Sequence, residues 1–108
     1  MLNTREELFI KLIQKYDKQQ IIVAIEELSE LQKELCKGLR NLFLCGHTDK
    51  KPIIEEWADV WIMLQQIKLF FDLNSEDIRN QVEWKLQRTK ERCLDEEEEE
   101  KQDDFDFI

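Results

Sequence analysis

A chain of 108 residues with one proline and two glycines has almost no chemistry for sharp turns. Tight hairpins need residues that accept positive φ or arrive with φ preset, and Gly and Pro supply most of both. Leu, Ile, Glu, Lys and Gln dominate instead, and all are compatible with helix. An all-α fold is therefore expected. The length allows one modest domain and is too short for two. Pro52 falls near an expected helix start, where its fixed φ and missing N–H do least harm.

Apolar spacing divides the chain into four helices. The first is expected from Thr4 to Tyr16, with Thr4 and Glu7 reading as a capping box. After a polar break at Asp17-Lys18-Gln19, a long second helix runs from Gln20 to Leu44. Ile21, Ile25, Leu28, Leu35, Leu39 and Leu42 mark its expected core stripe. Its opening turn, Ile21 to Ile25, is apolar all round and should be covered on more than one side. Gly46 then ends this helix, and Thr48 or Asp49 caps the next.

The third helix is expected from Lys51 to Asp72, with Ile53, Trp57, Val60, Leu64, Ile67 and Phe71 in one stripe. Asn74 and Ser75, followed by Glu76 and Asp77, start a fourth helix that should end near Cys93, with Ile78, Val82 and Leu86 facing inward. Trp57 and Trp61 read as core or as subunit interface.

Charge is concentrated at one end. The net charge is −9, but residues 95–108 hold nine acids and one Lys, leaving residues 1–94 with 16 acids and 15 bases. The division expected is a helical domain over 1–94 and a disordered acidic tail over 95–108. A nearly neutral body shows no broad basic face, so no direct nucleic-acid binding is expected. Cys36, Cys45 and Cys93 are odd in number and lack a CxxC, which suits reduced thiols in a cytoplasmic protein. The N-terminus has no apolar leader segment, and the most apolar stretch is interrupted by Glu55, Glu56, Asp59 and Lys68, so no membrane span is expected.

Two acidic motifs stand against this background: Glu26-Glu27-Leu28-Ser29-Glu30 and Glu55-Glu56-Trp57-Ala58-Asp59. Each sets carboxylates three residues apart, on one helical face. Glu56 and Asp59 share a row with Met63, Gln66 and Phe70, in a stretch where 12 of the 18 residues from Ile54 to Phe71 are apolar. Carboxylates in such a row are costly unless something cationic satisfies them. Acid pairs converging from two helices suit a hard divalent cation, Mg²⁺ first. Lys85, Arg88 and Arg92 recur at helical spacing and make one basic edge, suited to phosphate. His47 lacks further ligands for a zinc site.

Glu-Glu-x-x-Glu, a spacer, then Glu-x-x-Asp resembles the MazG-like all-α nucleoside triphosphate pyrophosphohydrolase superfamily, which includes dimeric dUTPases and dCTP pyrophosphatases. The likeness extends through Gln20 to Ile25, Val60 to Leu64 and Lys85 to Arg92, and covers roughly Lys15 to Cys93. It implies a four-helix bundle working as a homodimer or homotetramer, in a cytoplasmic protein of bacterial or phage origin. It also implies Mg²⁺, with Mn²⁺ as a substitute, held by Glu27, Glu30, Glu56 and Asp59. The implied reaction cuts a nucleoside triphosphate to a monophosphate and pyrophosphate, a house-cleaning hydrolysis. Glu26 and Glu34 are the two candidates to orient or deprotonate the attacking water. Gln20 matches a base- or sugar-contacting position, and Lys85, Arg88 and Arg92 are the expected phosphate contacts.

The tail ends Asp103-Asp104-Phe105-Asp106-Phe107-Ile108, aromatics embedded in acid. It reads either as a solubilising extension or as a docking peptide anchored by Phe105, Phe107 and Ile108, loosely resembling the acidic tips of single-stranded-DNA-binding proteins. A catalytically silent adaptor working through this tail is the alternative to an enzyme.

Overall fold

The structure is a computed structural model that describes the backbone of residues 4–106 and the side chains of residues 4–97. Among the described residues all regular structure is helical: α1 (Arg5–Tyr16), α2 (Lys18–Cys45), α3 (Lys51–Phe70) and α4 (Ser75–Asp106). None of these helices is long and apolar enough to cross a membrane. The chain divides into two units, Met1–Asp72 with the first three helices and Leu73–Ile108 with α4.

The helix ends follow local chemistry. Thr4 caps α1, its Oγ1 accepting from the Glu7 N–H at 3.1 Å. The expected polar break shrinks to one residue, because Asp17 takes φ 50° and α2 starts immediately at Lys18. With ψ −127° this is a positive-φ conformation outside the left-handed helical region, which a β-branched side chain would tolerate least. Gly46, at φ 80°, closes α2 and donates to Leu42 O at 3.0 Å. Asp49 Oδ1 then accepts from the Lys51 N–H at 3.0 Å, and Asn74 Oδ1 accepts from Glu76 N–H at 2.7 Å to start α4.

Within Met1–Asp72 the three helices pack on one another. Gln20 meets Gln66, Glu27 meets Asp59 and Gly38 meets Ile53, so α2 and α3 run antiparallel. Gly38 allows the close approach: a Cβ there would stand 3.1 Å from Ile53 Cδ1. Ala24 is fully buried, and Phe9, Gly38, Val60, Met63 and Gln66 are the other buried residues among those described.

This core corrects the expected stripes. Ile25, Leu28, Leu35, Leu39 and Leu42 on α2 are exposed, as are Trp57, Leu64 and Phe71 on α3. Small residues, Ala24 and Gly38, set the α2 seam, because two helices approach most closely where side chains are shortest. On α3 the buried residues Met63 and Gln66 belong to the row that carries the acids.

In the second unit, Ile78, Val82 and Leu86 are exposed rather than inward-facing. The helix passes Cys93, where the sequence reading ends it, and continues to Asp106. Glu, Gln and Lys are good helix formers, and no Gly or Pro interrupts the run. The side chains of the proposed docking anchors Phe105, Phe107 and Ile108 lie outside the described residues.

Candidate metal centre

Glu27 comes from the middle of α2, and Glu56 and Asp59 from successive turns of α3. One carboxylate oxygen from each lies within 4.8 Å of the other two. Glu27 and Glu56 are half-buried and Asp59 is exposed, so the cluster opens to solvent on the Asp59 side. The antiparallel pairing makes this convergence possible, because neither helix alone brings three carboxylate oxygens to one point.

The electrostatics are unfavourable without a cation. Desolvation, then the charges of Asp59 and Glu56, raise the Glu27 pKa above its usual value, aided by a hydrogen bond shared with Asp59 and by Glu30. The Glu56 pKa is raised in the same direction by desolvation, then by Asp59, Glu30, Glu34 and Glu55. Glu56 Oε2 is screened from solvent and has no hydrogen-bond partner among the described residues. Its immediate neighbours cover that one atom, while the residue as a whole is not deep in a core. A carboxylate oxygen left unpaired beside two further carboxylates fits a hard cation, which would satisfy all three together.

The other expected ligand, Glu30, stands outside the 4.8 Å cluster, one turn along α2 and exposed, and acts on Glu27 and Glu56 through its charge. Glu34 is half-buried and pairs with Lys37 Nζ at 3.4 Å. Glu26 is exposed and lies about 100° round the helix from Glu27. Lys85, Arg88 and Arg92 are exposed on α4, with the Arg88 guanidinium 5.5 Å from the Trp84 ring centroid.

Gln20 is half-buried, and its Nε2 donates to Gln66 Oε1 at 2.6 Å. Gln66 is only 1% exposed and is the polar residue that sequence reasoning left without a role. Its signal was present: it shares a helical row with Glu56 and Asp59.

No protein-family model, curated protein or solved structure matches the chain.

Proposed function

We propose that this protein is an Mg²⁺-dependent nucleoside triphosphate pyrophosphohydrolase of MazG-like type, converting a nucleotide to its monophosphate and pyrophosphate. The observation that carries the proposal is the convergence of Glu27, Glu56 and Asp59 around an oxygen, Glu56 Oε2, that has no partner of its own.

Glu27, Glu56 and Asp59 would hold the metal, with Glu30 one turn away as a further ligand or as a ligand to its waters. A bound Mg²⁺ supplies charge neutralisation for a triphosphate and polarises its phosphoryl oxygens. Mn²⁺ can take the same oxygen ligands. Glu26 and Glu34 remain the two candidates to accept the proton of the attacking water, and the Lys37 pair holds the Glu34 carboxylate in place. In the overall reaction one water is consumed, one phosphoanhydride bond breaks, and pyrophosphate leaves. Gln20, held by Gln66, contacts the nucleoside, while Lys85, Arg88 and Arg92 contact phosphate. The working form is a homo-oligomer folded as four-helix bundles, since a cluster open to solvent needs further walls around a nucleotide.

Incubation with canonical and modified nucleoside triphosphates, in Mg²⁺, Mn²⁺ or EDTA, tests this directly. Metal-dependent release of both monophosphate and pyrophosphate, lost in Glu56→Gln, is the expected result. No hydrolysis and no Mg²⁺ binding by calorimetry would sink the proposal and favour the helical adaptor acting through its acidic tail.

A further inference from the structure

Three polar stations follow one another along a single face of α2. Gln20, Glu27 and Glu34 are seven residues apart, so each stands about 10.5 Å beyond the last and about 20° round the helix. Gln20 donates to Gln66, Glu27 joins Glu56 and Asp59, and Glu34 accepts from Lys37 Nζ at 3.4 Å. The first two stations already carry roles in the proposed reaction, as nucleoside contact and as metal-binding carboxylates. The third brings a cation, Lys37, whose ammonium has no partner in the reaction so far.

Of the bases on α2 and α3, Lys37 lies nearest the acids. On α2 it stands about 60° round from Glu34, whereas Lys33, Arg40 and Lys18 stand about 100°, 120° and 160° away. On α3, Lys68 and Lys51 lie about 120° and 140° from Glu56. Helical side chains tilt towards the N-terminus, so Lys37 points back along α2 in the direction of Glu27. The Lys37 side chain is 51% exposed and that of Glu34 18%, which puts the ammonium on the solvent side of the carboxylate. At 3.4 Å the pair is looser than the ~2.7–2.9 Å of a tight charge-assisted bond. An ammonium has three N–H donors, and one contact to Glu34 leaves two for another acceptor. The Glu34 charge also reaches Glu56, whose pKa it helps to raise, so this station is within electrostatic range of the cluster.

We propose that Lys37 contacts the terminal phosphate of the bound nucleotide and gives the site its preference for triphosphates over diphosphates. The inference rests on the hydrolase reading above. A nucleoside triphosphate presents, in order, a nucleoside, the phosphates beside it and a terminal phosphate. Gln20, the carboxylates and Lys37 meet those parts in the same order along α2. The terminal phosphate arrives beside Glu30 and Glu34, whose charges repel it, so a neighbouring cation decides whether a third phosphate adds affinity or removes it.

Lys85, Arg88 and Arg92 belong to the other unit, whereas Lys37 is carried by the helix that carries Glu27. Its distance along α2 from the metal-binding carboxylates is therefore fixed by the helix itself. An exposed ion pair at this spacing adds little to stability. A purely structural role and a phosphate contact are thus separable by measurement.

Calorimetry of the full chain in Mg²⁺ decides the matter, with the non-cleavable α,β-imido di- and triphosphates of deoxyuridine, deoxycytidine, deoxyadenosine and deoxyguanosine as probes. Wild type is expected to bind at least one triphosphate about 10- to 100-fold more tightly than its diphosphate. Lys37→Met keeps the stem and the helix propensity, and should bring the triphosphate down to the affinity of the diphosphate. Affinities for the diphosphate and for Mg²⁺ should not change. Lys37→Gln takes its place if circular dichroism shows lost helicity, and Lys37→Arg should keep most of the preference. Glu34→Gln frees the ammonium and should tighten the triphosphate, the opposite of Lys37→Met. A lysine that only held Glu34 in place would make those two variants alike. That result, a preference unchanged in Lys37→Met, or equal losses for both nucleotides would overturn the inference and leave the hydrolase reading standing. A wild type that binds none of the probes would remove both.

Discussion

Gln20 Nε2 donates to Gln66 Oε1 at 2.6 Å, two helical turns from the carboxylate cluster along both helices. Gln20 precedes Glu27 by seven residues and Gln66 follows Asp59 by seven, so the amide pair and the carboxylates are two rungs of one antiparallel ladder. A seven-residue step is about 10.5 Å of helix, comparable to the span from a nucleotide's phosphates to its base. Within the function proposed above, this fixes the scale of the site.

The amide pair predicts contrasting effects of two similar substitutions at Gln66. Gln66→Met keeps the volume and removes the acceptor, and the half-buried Gln20 can turn to water. Its expected cost is below about 1.5 kcal/mol. Gln66→Glu places an uncompensated charge at a position that is 1% exposed. Urea unfolding at pH 7 should show a loss of about 3 kcal/mol or more. Equal costs for the two would mean that the amide is not buried as described.

Glu56→Gln should separate stability from activity. It removes a carboxylate whose Oε2 has no partner and whose neighbours are Asp59, Glu30 and Glu34. In EDTA the variant should melt at a higher temperature than wild type, because repulsion is relieved without loss of volume. Mg²⁺ affinity should fall by at least about 100-fold, with hydrolysis lost in parallel. Calorimetry and thermal melts with and without Mg²⁺ check both halves.

What could be read from sequence divides along physical lines. Helix identity and the helix starts are set by local chemistry: Thr4 and Asn74 cap α1 and α4, while at α3 the cap position is Lys50 and Asp49, one residue earlier, accepts from the Lys51 N–H. Glu56 and Asp59 stood out because an acid in a row with Met63 and Gln66 has an obvious cost. The buried face was legible only in part, with Val60 buried as expected and most of the α2 stripe exposed, for the opposite reason. Periodicity shows that Leu28, Leu35 and Leu42 share a face but not what that face meets, and here the buried residues of α2 are Ala24 and Gly38. The separation of Glu30 from the other three carboxylates depends on the α2–α3 register, a relation between helices that spacing within one helix does not contain.

That register makes Gly38 sensitive to size. The propensity gain of Gly38→Ala, about 1 kcal/mol, is offset by a Cβ 3.1 Å from the tip of Ile53, which is half-buried and can shift. A net change within about 1 kcal/mol is expected. Gly38→Leu has to separate the helices and should destabilise by about 1–3 kcal/mol in denaturant unfolding. A stabilising Gly38→Leu would show that the helices are not in close contact there.

The carboxylate cluster also sets the sign of the pH dependence. Glu27 and Glu56 have folded-state pKa values above the unfolded 4.5, so between 4.5 and those raised values the folded state binds more protons than the unfolded. Stability therefore rises as pH falls from neutral through the raised values, and the gain is complete near 4.5. Their contribution should make the melting temperature in EDTA higher at pH 5 than at pH 7.5. With Mg²⁺ the trend should reverse, since the cation binds the ionised carboxylates and competes with protons. At free Mg²⁺ about 100 times its Kd, binding adds about 2.7 kcal/mol at pH 7.5, and less at pH 5. A melting temperature insensitive to Mg²⁺ at pH 7.5, with the acid-side gain still present in EDTA, would leave a strained acidic cluster and remove the metal from it.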